Sequence, residues 1–229
     1  MPRGGSRPRA TRTAGSDCLF DIPCDPLFYE RSARAGGAVR IAGVDEVGRG
    51  PLAGPVVAAA VILPEGLIIT GVNDSKQIAE EDRERLFGVI VGAAVAYGIG
   101  VVGERTIDEI NIREATMLAM ERALAAIAPP PDHLLIDGNC GLPRVRCIQQ
   151  AIIKGDSRSH SIAAASIIAK VTRDRLMVDL HERFPQYNFL KHKGYGTKEH
   201  LDLLRLHGPC EAHRRTFQPV ADMLRAAAR

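Results

Sequence analysis

The sequence predicts an α/β domain with a mixed β-sheet flanked by helices, followed by a C-terminal helical segment. Short apolar runs of buried-strand length alternate with longer stretches of helical periodicity, and glycine or proline residues separate the two kinds of segment. Three strands come first, and a helix, two strands and further helices follow, which is the order of a layered α/β domain. The chain has 229 residues, 45% of them hydrophobic, which is enough to bury one core of ordinary domain size.

The strands are predicted from apolar runs that end at turn-forming residues. Five segments meet this description: residues 41–47, 56–63, 94–102, 133–136 and 145–153. Gly48-Arg49-Gly50-Pro51 ends the first segment, and Pro64 ends the second. The last two run into acidic turns, Asp137-Gly138 and Gly155-Asp156, which places carboxylates where strands end.

The helices are predicted from 3.6-residue periodicity and from capping residues. Five segments qualify: residues 26–36, 80–87, 106–128, 161–184 and 197–207. We expect Asp74 or Ser75 to cap the second segment. Thr106, with Glu109 three residues later at capping-box spacing, is expected to begin the third segment, and the prolines from Pro129 onward end it.

Charge is unevenly distributed along the chain. Residues 1–16 contain four arginines and no acid, and without them 26 basic residues remain against 27 acidic ones. The net charge of +3 therefore says little about affinity for nucleic acid, and any phosphate-binding surface must come from local clustering. We predict that residues 1–38 are an extension, disordered or in a short helix, and that residues 39–229 form the folded domain.

The composition argues against several classes of protein. Aromatic residues make up 4% of the chain, so stacking on exposed bases is not expected to dominate binding. The five cysteines are scattered and contain no C-x-x-C pair, which fits neither a disulfide framework nor a zinc site. The longest uncharged stretch, residues 86–103, is shorter than the roughly 20 residues of a membrane span. We therefore expect a cytoplasmic monomer that does not act at a membrane.

Carboxylates at strand ends form the candidate site. Asp45 and Glu46 end the first predicted strand, Asp137 follows the fourth and Asp156 follows the fifth. Sites in α/β sheets are built at strand ends, and carboxylate-only ligand sets select hard cations such as Mg²⁺ or Mn²⁺. A cap or turn role explains any single acid equally well, but four together favour a metal site. Adjacent strand residues face opposite sides of a sheet, so Asp45 and Glu46 share a site only where the strand ends or twists.

Seven sequence blocks occur in one order along the chain and resemble those of the ribonuclease HII family of type 2 ribonucleases H. The most specific is IAGVDEVGRGPLAGPVV at residues 41–57. The others are NDSK at 73–76, IDG at 136–138, KGDS at 154–157, AAASIIAKVTRD at 163–174, HKGY at 192–195 and HRRTF at 213–217. The resemblance covers essentially residues 40–220, and it implies a ribonuclease H-like fold for the catalytic domain, residues 39–229.

The resemblance implies an endonuclease that hydrolyses the RNA strand of RNA/DNA hybrids. It also implies cleavage on the 5′ side of single ribonucleotides in duplex DNA, with 3′-hydroxyl and 5′-phosphate ends and a role in DNA repair. By the same resemblance, Asp45, Glu46, Asp137 and Asp156 are the catalytic residues that bind Mn²⁺ or Mg²⁺. Asp174 is also acidic, but it lies four residues after Lys170, where an ion pair is the better explanation.

The resemblance further implies substrate contacts. The Gly48-Arg49-Gly50 loop is similar to a ribose-sensing element, and Tyr195 resembles a tyrosine that stacks on the sugar at the RNA–DNA step. The candidates for phosphate contacts are Ser75, Lys76, Lys154 and Lys170. Without the resemblance, the loop is better explained as a tight turn with a solvated arginine, and Tyr195 is a loop tyrosine in a surface groove. The phosphate-contact candidates are then better explained as a capping serine, surface lysines and, for Lys170, an ion pair with Asp174. Basic residues at 192–193 and 213–215 suggest a duplex-binding face, with a packing role for His213 as the alternative.

Three other functions are compatible with parts of the pattern. Ribonuclease HIII has the same fold with an extra N-terminal domain and a Gly-Lys-Gly loop, and both the short segment before residue 40 and the Gly-Arg-Gly loop disfavour it. A non-catalytic nucleic-acid-binding protein on the same scaffold is disfavoured by the four intact acids. A carboxylate-metal phosphatase of small substrates is separable by competition between a nucleotide phosphate and a hybrid duplex.

Overall fold

The computed structural model describes residues 25–73, 75 and 78–227. The helices and strands of these residues are, in chain order, α1 (Phe28–Ala35), β1 (Ile41–Val47), β2 (Val56–Ile62), α2 (Glu80–Ala93), β3 (Ala96–Val102), α3 (Glu104–Ala125), β4 (His133–Asp137), β5 (Ile148–Ile152), α4 (His160–Arg183), α5 (Phe189–His192), α6 (Lys198–His207) and α7 (Val220–Ala227). A short 3₁₀ turn, Gly155–Ser157, connects β5 to α4. Every predicted strand and helix is present, so the predicted α/β class and the C-terminal helical segment are confirmed.

The strands form one mixed sheet in the order β3-β2-β1-β4-β5. β1 pairs antiparallel with β2, which pairs antiparallel with β3, while β4 is parallel to β1 and β5 is parallel to β4. β1 is therefore the central strand, and its C-terminal end lies beside that of β4. The two strands that carry Asp45, Glu46 and Asp137 are neighbours, although about 85 residues of chain lie between them.

Helices cover both faces of the sheet. α3 packs on one face, against Ala42 and Val44 of β1, and α2 and α4 pack on the other. The approach of α4 is so close that a Cβ on Gly43 would lie 2.1 Å from the backbone of Ser161. Glycine is required at this position because the helix backbone occupies the space of a side chain. The small residues at the start of α4 are buried in the core.

Several predicted helix ends are wrong. α2 begins at Glu80 with Ala79 as its N-cap residue and has no side-chain cap. Ser75 does not cap it, because its hydroxyl turns inward to Ser166 Oγ at 2.8 Å, and Asp74 lies outside the described residues. α3 has Gly103 as its N-cap residue and not Thr106. The extended backbone of Gly103 starts that helix earlier, and its carbonyl accepts the first helical hydrogen bond, from Ile107 N.

Two predicted ends differ because local turns replace regular structure. α3 ends at Ala125, three residues before the predicted end. β5 begins at Ile148 because Val145 N donates to Leu142 O in a turn and is not available to the sheet ladder. The predicted cap of α6 is correct, since the Thr197 side chain accepts a hydrogen bond from His200 N.

The C-terminal helices pack onto the segment that follows β1. Leu52 and Ala53 share an apolar cluster with Met177, Phe189 and Leu204. Two backbone hydrogen bonds fix this contact: Leu52 N donates to Gly194 O and Arg214 N donates to Leu52 O, each at 2.8 Å. The loop after β1 is therefore held between the sheet and the C-terminal helices. None of the helices in the described part of the chain is both long and apolar enough to cross a membrane.

α1 belongs to the stretch that the sequence assigns to the N-terminal extension, yet it packs on the domain. Its buried residues Tyr29 and Ala33 contact an apolar cluster that includes Ile41, Leu135 and Ile162. The predicted division at residue 38 remains a sequence-based prediction. The disorder predicted for residues 1–16 falls outside the described residues.

Candidate metal centre and substrate cleft

Three of the four predicted acids converge at the ends of the two central strands. Asp45, Glu46 and Asp137 each present a carboxylate oxygen, and these oxygens all lie within 4.8 Å of one another. Asp45 is 5% exposed, and the other two are half-buried. Such a group of hard oxygen donors is the ligand type that Mg²⁺ and Mn²⁺ prefer, so the residues present fit a divalent cation.

The convergence of two adjacent strand residues has a structural cause. The pairing of β1 with β4 ends at Val44 and Ile136, whereas β1 continues along β2 to Val47. Beyond Val44 the β4 side of β1 is open, and a long side chain from the far face reaches around the end of the sheet. Glu46 does this, while the Asp45 carboxylate bends back to accept a hydrogen bond from Glu46 N at 2.7 Å. The sequence predicts that Asp45 and Glu46 share a site only where the strand ends or twists. β1 ends there on its β4 side, but its pairing with β2 continues to Val47.

The electrostatics of the cluster favour the binding of positive charge. Burial raises the pKa of Asp45 well above its ordinary value, and the nearby Glu46 and Asp137 raise it further. Burial also raises the pKa of Glu46, although the Arg49 guanidinium, 3.3 Å away, opposes that shift. The carboxylates thus repel one another in a site shielded from water. A divalent cation removes this repulsion, which is the physical reason to expect one here.

Asp156 lies close by but outside the group of three. It is 7% exposed, on the 3₁₀ turn between β5 and α4. The turn is attached to the metal centre through its backbone, because Gly155 N donates to Asp137 Oδ1 at 2.6 Å. The role of Asp156 as a fourth ligand remains a prediction.

The Gly48-Arg49-Gly50 loop lies between the acids and Tyr195. Gly48 has a φ of +93°, and a Cβ there would lie 2.3 Å from Arg173 Nε, so only glycine fits. Arg49 and Gly50 are exposed, and a Cβ on Gly50 would lie 3.9 Å from Cε1 of Tyr195. Tyr195 is itself 44% exposed. The predicted ribose-sensing loop and the predicted stacking tyrosine are therefore neighbours on the surface.

Buried Arg214 holds this loop and buried Arg173 holds the segment that follows it, and neither role is predicted from the sequence. Arg214 donates to the carbonyl oxygens of Gly48 at 2.5 Å, Arg49 at 2.9 Å and Gly54 at 3.0 Å. Arg173 donates to Pro55 O and, at 3.0 Å, to Lys193 O. Burial lowers the pKa of Arg214 to about 9. Their partners are far away in sequence, so no local pattern reports these contacts.

The suggested duplex-binding face at residues 192–193 and 213–215 is wrong for most of its members. His192, His213 and Arg214 are buried, at 7%, 1% and 0% exposure. Basic residues shielded in this way do not reach a phosphate. The alternative role for His213, that of a packing residue, is the correct one.

A cluster of three histidines supports the backbone around Tyr195. His192 and His200 stack with their ring centroids 4.2 Å apart, and Nε2 atoms of His200 and His213 lie 3.1 Å from each other. His200 Nδ1 lies 2.9 Å from Tyr195 O, and Gly194 N donates to His192 Nδ1. Burial lowers the pKa of both His200 and His213 to about 4. The cluster is neutral near pH 7 and fixes the position of Tyr195.

The candidates for phosphate contacts differ in accessibility. Lys154 is exposed beside the Asp156 turn, with a left-handed backbone. Ser75 is buried against Ser166, whose hydrogen bond to Asp45 lowers the pKa of that carboxyl. Lys170 makes the expected ion pair with Asp174 at 2.6 Å. Lys76 lies outside the described residues.

A cleft of about 190 Å³ opens beside the acids. Glu46 and Asp137 line one side, and Arg49 and Arg113 bring positive charge to it. Arg113 makes no side-chain hydrogen bond or ion pair among the residues described. The cleft thus offers charge of both signs next to the candidate metal centre.

Comparison with known sequences identifies one family. The model of ribonuclease HII matches residues 42–220. Ribonuclease HII of Geobacillus kaustophilus is 55% identical over 204 residues, which span 88% of this chain and 76% of that protein.

Solved structures agree with the fold. The ribonuclease H2 of Pyrococcus horikoshii matches with a TM-score of 0.72 and 27% identity, over 83% of this chain and all of that one. Bst-RNase HIII in complex with Mn²⁺ matches with a TM-score of 0.59 and 22% identity, over 82% of this chain and 70% of that one, which supports the fold alone. The ribonuclease H-like fold is confirmed, and the chain belongs to the ribonuclease HII family of metal-dependent endoribonucleases.

Proposed function

We propose that this protein hydrolyses the RNA strand of RNA/DNA hybrids and cuts duplex DNA on the 5′ side of a single embedded ribonucleotide. The products carry 3′-hydroxyl and 5′-phosphate ends. The observation that carries this proposal is the adjacency of three features: the Asp45–Glu46–Asp137 cluster, the Gly48-Arg49-Gly50 loop and the exposed Tyr195. Together they offer a centre for phosphodiester hydrolysis beside a surface able to distinguish ribose from deoxyribose.

Asp45, Glu46 and Asp137, with Asp156 from the adjacent turn, would hold Mn²⁺ or Mg²⁺. Bound there, the ion supplies Lewis-acid stabilisation of the scissile phosphate and activation of water. The carboxylates themselves bind and orient, and no side chain acts as a nucleophile. Glu46 also lines the open cleft where the substrate strand would enter.

Ribose selection is assigned to the backbone of the Gly48-Arg49-Gly50 loop. The 2′-hydroxyl both donates and accepts hydrogen bonds, so exposed peptide groups held in place are suited to recognise it. The Arg214 guanidinium provides that rigidity because it takes up the loop's inward-facing carbonyl oxygens. Tyr195, on the other side of Gly50, would stack on the neighbouring sugar and favour a ribonucleotide followed by a deoxynucleotide.

Phosphate contacts are assigned to Lys154, with Lys76, Lys170 and Ser75 as further members of the predicted set. Lys154 is the best placed, since it is exposed at the start of the turn that carries Asp156. Lys170 would have to exchange its ion pair with Asp174 for a phosphate. Ser75 is better suited to support Asp45 through Ser166 than to touch substrate.

The direct test uses an end-labelled DNA duplex with one ribonucleotide, incubated with the protein and Mn²⁺ or Mg²⁺. We expect one cut on the 5′ side of the ribonucleotide, with no cut in an all-DNA duplex. The Asp137→Asn variant should bind the duplex without cutting it. Binding without cleavage by the unaltered protein with either ion would instead support the non-catalytic scaffold, which the intact acids and the family membership disfavour.

A second experiment tests the substrate-selecting surface. The Tyr195→Ala variant should lose more activity on the single-ribonucleotide duplex than on a long RNA/DNA hybrid, because only the former presents a single RNA–DNA step. Tyr97→Ala, at a similarly exposed tyrosine on β3, is the matched control. Equal losses on both substrates would assign Tyr195 to general binding.

We also propose a cytoplasmic monomer that acts in DNA repair, with residues 39–229 as its catalytic domain.

A further inference from the structure

Helix α1 precedes the region that matches the family model, yet it reaches the turn beside the metal centre. Glu30 of this helix makes the hydrogen bonds to that region. One oxygen of that carboxylate, Oε1, accepts hydrogen bonds from Ser159 Oγ at 2.7 Å, Ser161 N at 2.9 Å and Ser161 Oγ. These partners are about 130 residues away in sequence and form the first turn of α4.

Glu30, in α1, takes part in capping the N-terminus of α4. Ser159 is the N-cap residue, and its hydroxyl accepts from Ile162 N while it donates to Glu30. The backbone amides at the start of a helix lack internal partners and carry partial positive charge. A carboxylate that accepts from Ser161 N and orients the capping serine therefore stabilises the beginning of α4.

Two further contacts attach the same segment to α4. Pro26 O accepts from His160 N at 2.9 Å. The guanidinium of Arg158 lies 5.4 Å from the centre of the Tyr29 ring, a cation–π distance. Residues 26–30 thus contact positions 158–161 through a backbone bond, a carboxylate and an aromatic ring.

The clamped positions are directly connected to the candidate metal ligands. Ser159 N donates to Gly155 O at 2.8 Å, which closes the turn that carries Asp156. The amide N–H of the same residue faces the metal centre, because Gly155 N donates to Asp137 Oδ1 at 2.6 Å. A displacement of Ser159 is therefore transmitted within two hydrogen bonds to Asp137 and, along the chain, to Asp156.

We infer that α1 is a strap on the catalytic domain and that Glu30 is a positioning residue, which sets the Gly155–Ser157 turn and hence Asp137 and Asp156 for metal binding. The inference rests on the proposed function, because it assumes that these acids are ligands. It adds a residue outside the matched region to the supports of the site.

The test compares Glu30→Ala with Glu30→Gln. The amide of glutamine keeps a carbonyl oxygen that can accept the same three hydrogen bonds, whereas alanine removes the acceptor. We expect Glu30→Ala to weaken Mn²⁺ binding by about tenfold, the lower end for groups that orient metal ligands. Glu30→Gln should stay within about twofold of the unaltered protein, since it keeps the acceptor and loses only the favourable charge at the start of α4. Binding is measured by calorimetric titration of Mn²⁺ into the full chain without nucleic acid.

Amide hydrogen exchange at Gly155 provides a readout that does not depend on metal. Exchange should accelerate in Glu30→Ala and not in Glu30→Gln. Ile90→Val, which removes a buried methyl group from α2, is the control for general destabilisation: it should lower the melting temperature and leave both Mn²⁺ affinity and Gly155 exchange unchanged. Glu30→Ala that behaves like Ile90→Val would overturn the inference.

Failure of the proposed ligand set would look different. If Asp137→Asn and Asp156→Asn both bound Mn²⁺ normally, the metal assignment would be wrong, whatever Glu30 does to the exchange rate at Gly155. If those variants lost Mn²⁺ while Glu30→Ala kept full affinity and slow Gly155 exchange, the ligand assignment would stand and the strap would be rejected.

Discussion

The acid cluster and the C-terminal helical region both bury ionisable groups, but they treat them in opposite ways. At the ends of β1 and β4, Asp45 lies buried beside two other carboxylates, and burial and repulsion raise its pKa. Among the C-terminal helices, Arg214 is fully buried, and its donors are taken up by backbone carbonyl oxygens. In the acid cluster the charges repel one another, whereas the hydrogen-bond donors of Arg214 are satisfied even though burial lowers its pKa.

The difference separates residues that perform chemistry from residues that build the site. A buried charge without an opposite partner costs free energy, and a protein keeps one where a ligand will supply the partner. A buried charge with all its hydrogen bonds made stabilises a loop conformation and leaves nothing for a ligand to bind. Burial of charge alone therefore does not identify a functional residue; the state of its partners does.

The largest expected effect comes from a substitution in the acid cluster. Asp45→Asn should reduce cleavage by roughly a thousandfold or more, since metal-ion catalysis provides several kcal/mol of transition-state stabilisation. In the absence of metal, the same variant should be more stable than the unaltered protein at neutral pH, because asparagine has no charge to bury beside Glu46 and Asp137. Cleavage rates and denaturant midpoints in EDTA check both statements.

The pH dependence of the metal-free protein follows from the same shift. The folded-state pKa of Asp45 lies above its unfolded value, so the folded state holds the proton more tightly. This contribution to stability is present below the unfolded pKa, near 4, and is lost as pH rises through the folded pKa. Asp45→Asn should remove that loss, and a variant less stable than the unaltered protein at pH 7 in EDTA would contradict the assignment.

The next effect concerns the buried arginine. Arg214→Met keeps much of the side-chain volume but leaves the carbonyl oxygens of Gly48, Arg49 and Gly54 without their donor. We expect a loss of about 3 kcal/mol in the free energy of unfolding, from buried acceptors left unpaired. Chemical denaturation measures it. The neighbouring Arg215→Met, at an exposed side chain, should change stability by less than about 0.5 kcal/mol.

A smaller effect should appear on acidification. The folded-state pKa of His200 and of His213 is about 4, below the value of about 6.5 for an unfolded histidine. Their contribution to stability is therefore complete above pH 6.5 and is lost as pH falls towards 4. His213→Gln should reduce this acid sensitivity. An unchanged slope of stability against pH between 6.5 and 4 would show that the cluster already carries a proton.

The smallest effect tests a residue whose predicted role the structure changes. Ser75→Ala removes the hydroxyl that contacts Ser166, which in turn stabilises ionised Asp45. We expect cleavage to fall about threefold, the size of a loss well under 1 kcal/mol, and duplex affinity to stay the same. Ser32→Ala, on the exposed side of α1, is the control. A loss of duplex affinity would restore Ser75 as a phosphate contact.

The sequence predicts the acids better than their supports for a physical reason. Asp45, Glu46 and Asp137 stand where apolar runs meet glycine, and strand ends of a sheet are local features that a single segment reveals. The ionic partner of Lys170 is likewise within one helical turn. These residues need no knowledge of the distant chain.

The supporting residues depend on contacts that no segment contains. Arg214 contacts Gly48 across 166 positions, and Arg173 contacts Pro55 across 118. Their residue type, basic and close to other basic residues, suggests a surface, whereas tertiary packing puts them inside. The available signal was the concentration of histidines with Tyr187 and Phe189 in an otherwise aromatic-poor chain, which indicates a separate packed cluster.

Arg214 lies far along the chain from the loop that it holds, so it is translated well after that loop. All four predicted acids lie between residues 45 and 156, so a ribosome adds each of them before it reaches Arg214. The ribose-sensing loop gains its buried donor only once Arg214 has left the exit tunnel. During synthesis, the predicted metal ligands are therefore present before the buried donor that would hold the proposed ribose-sensing loop.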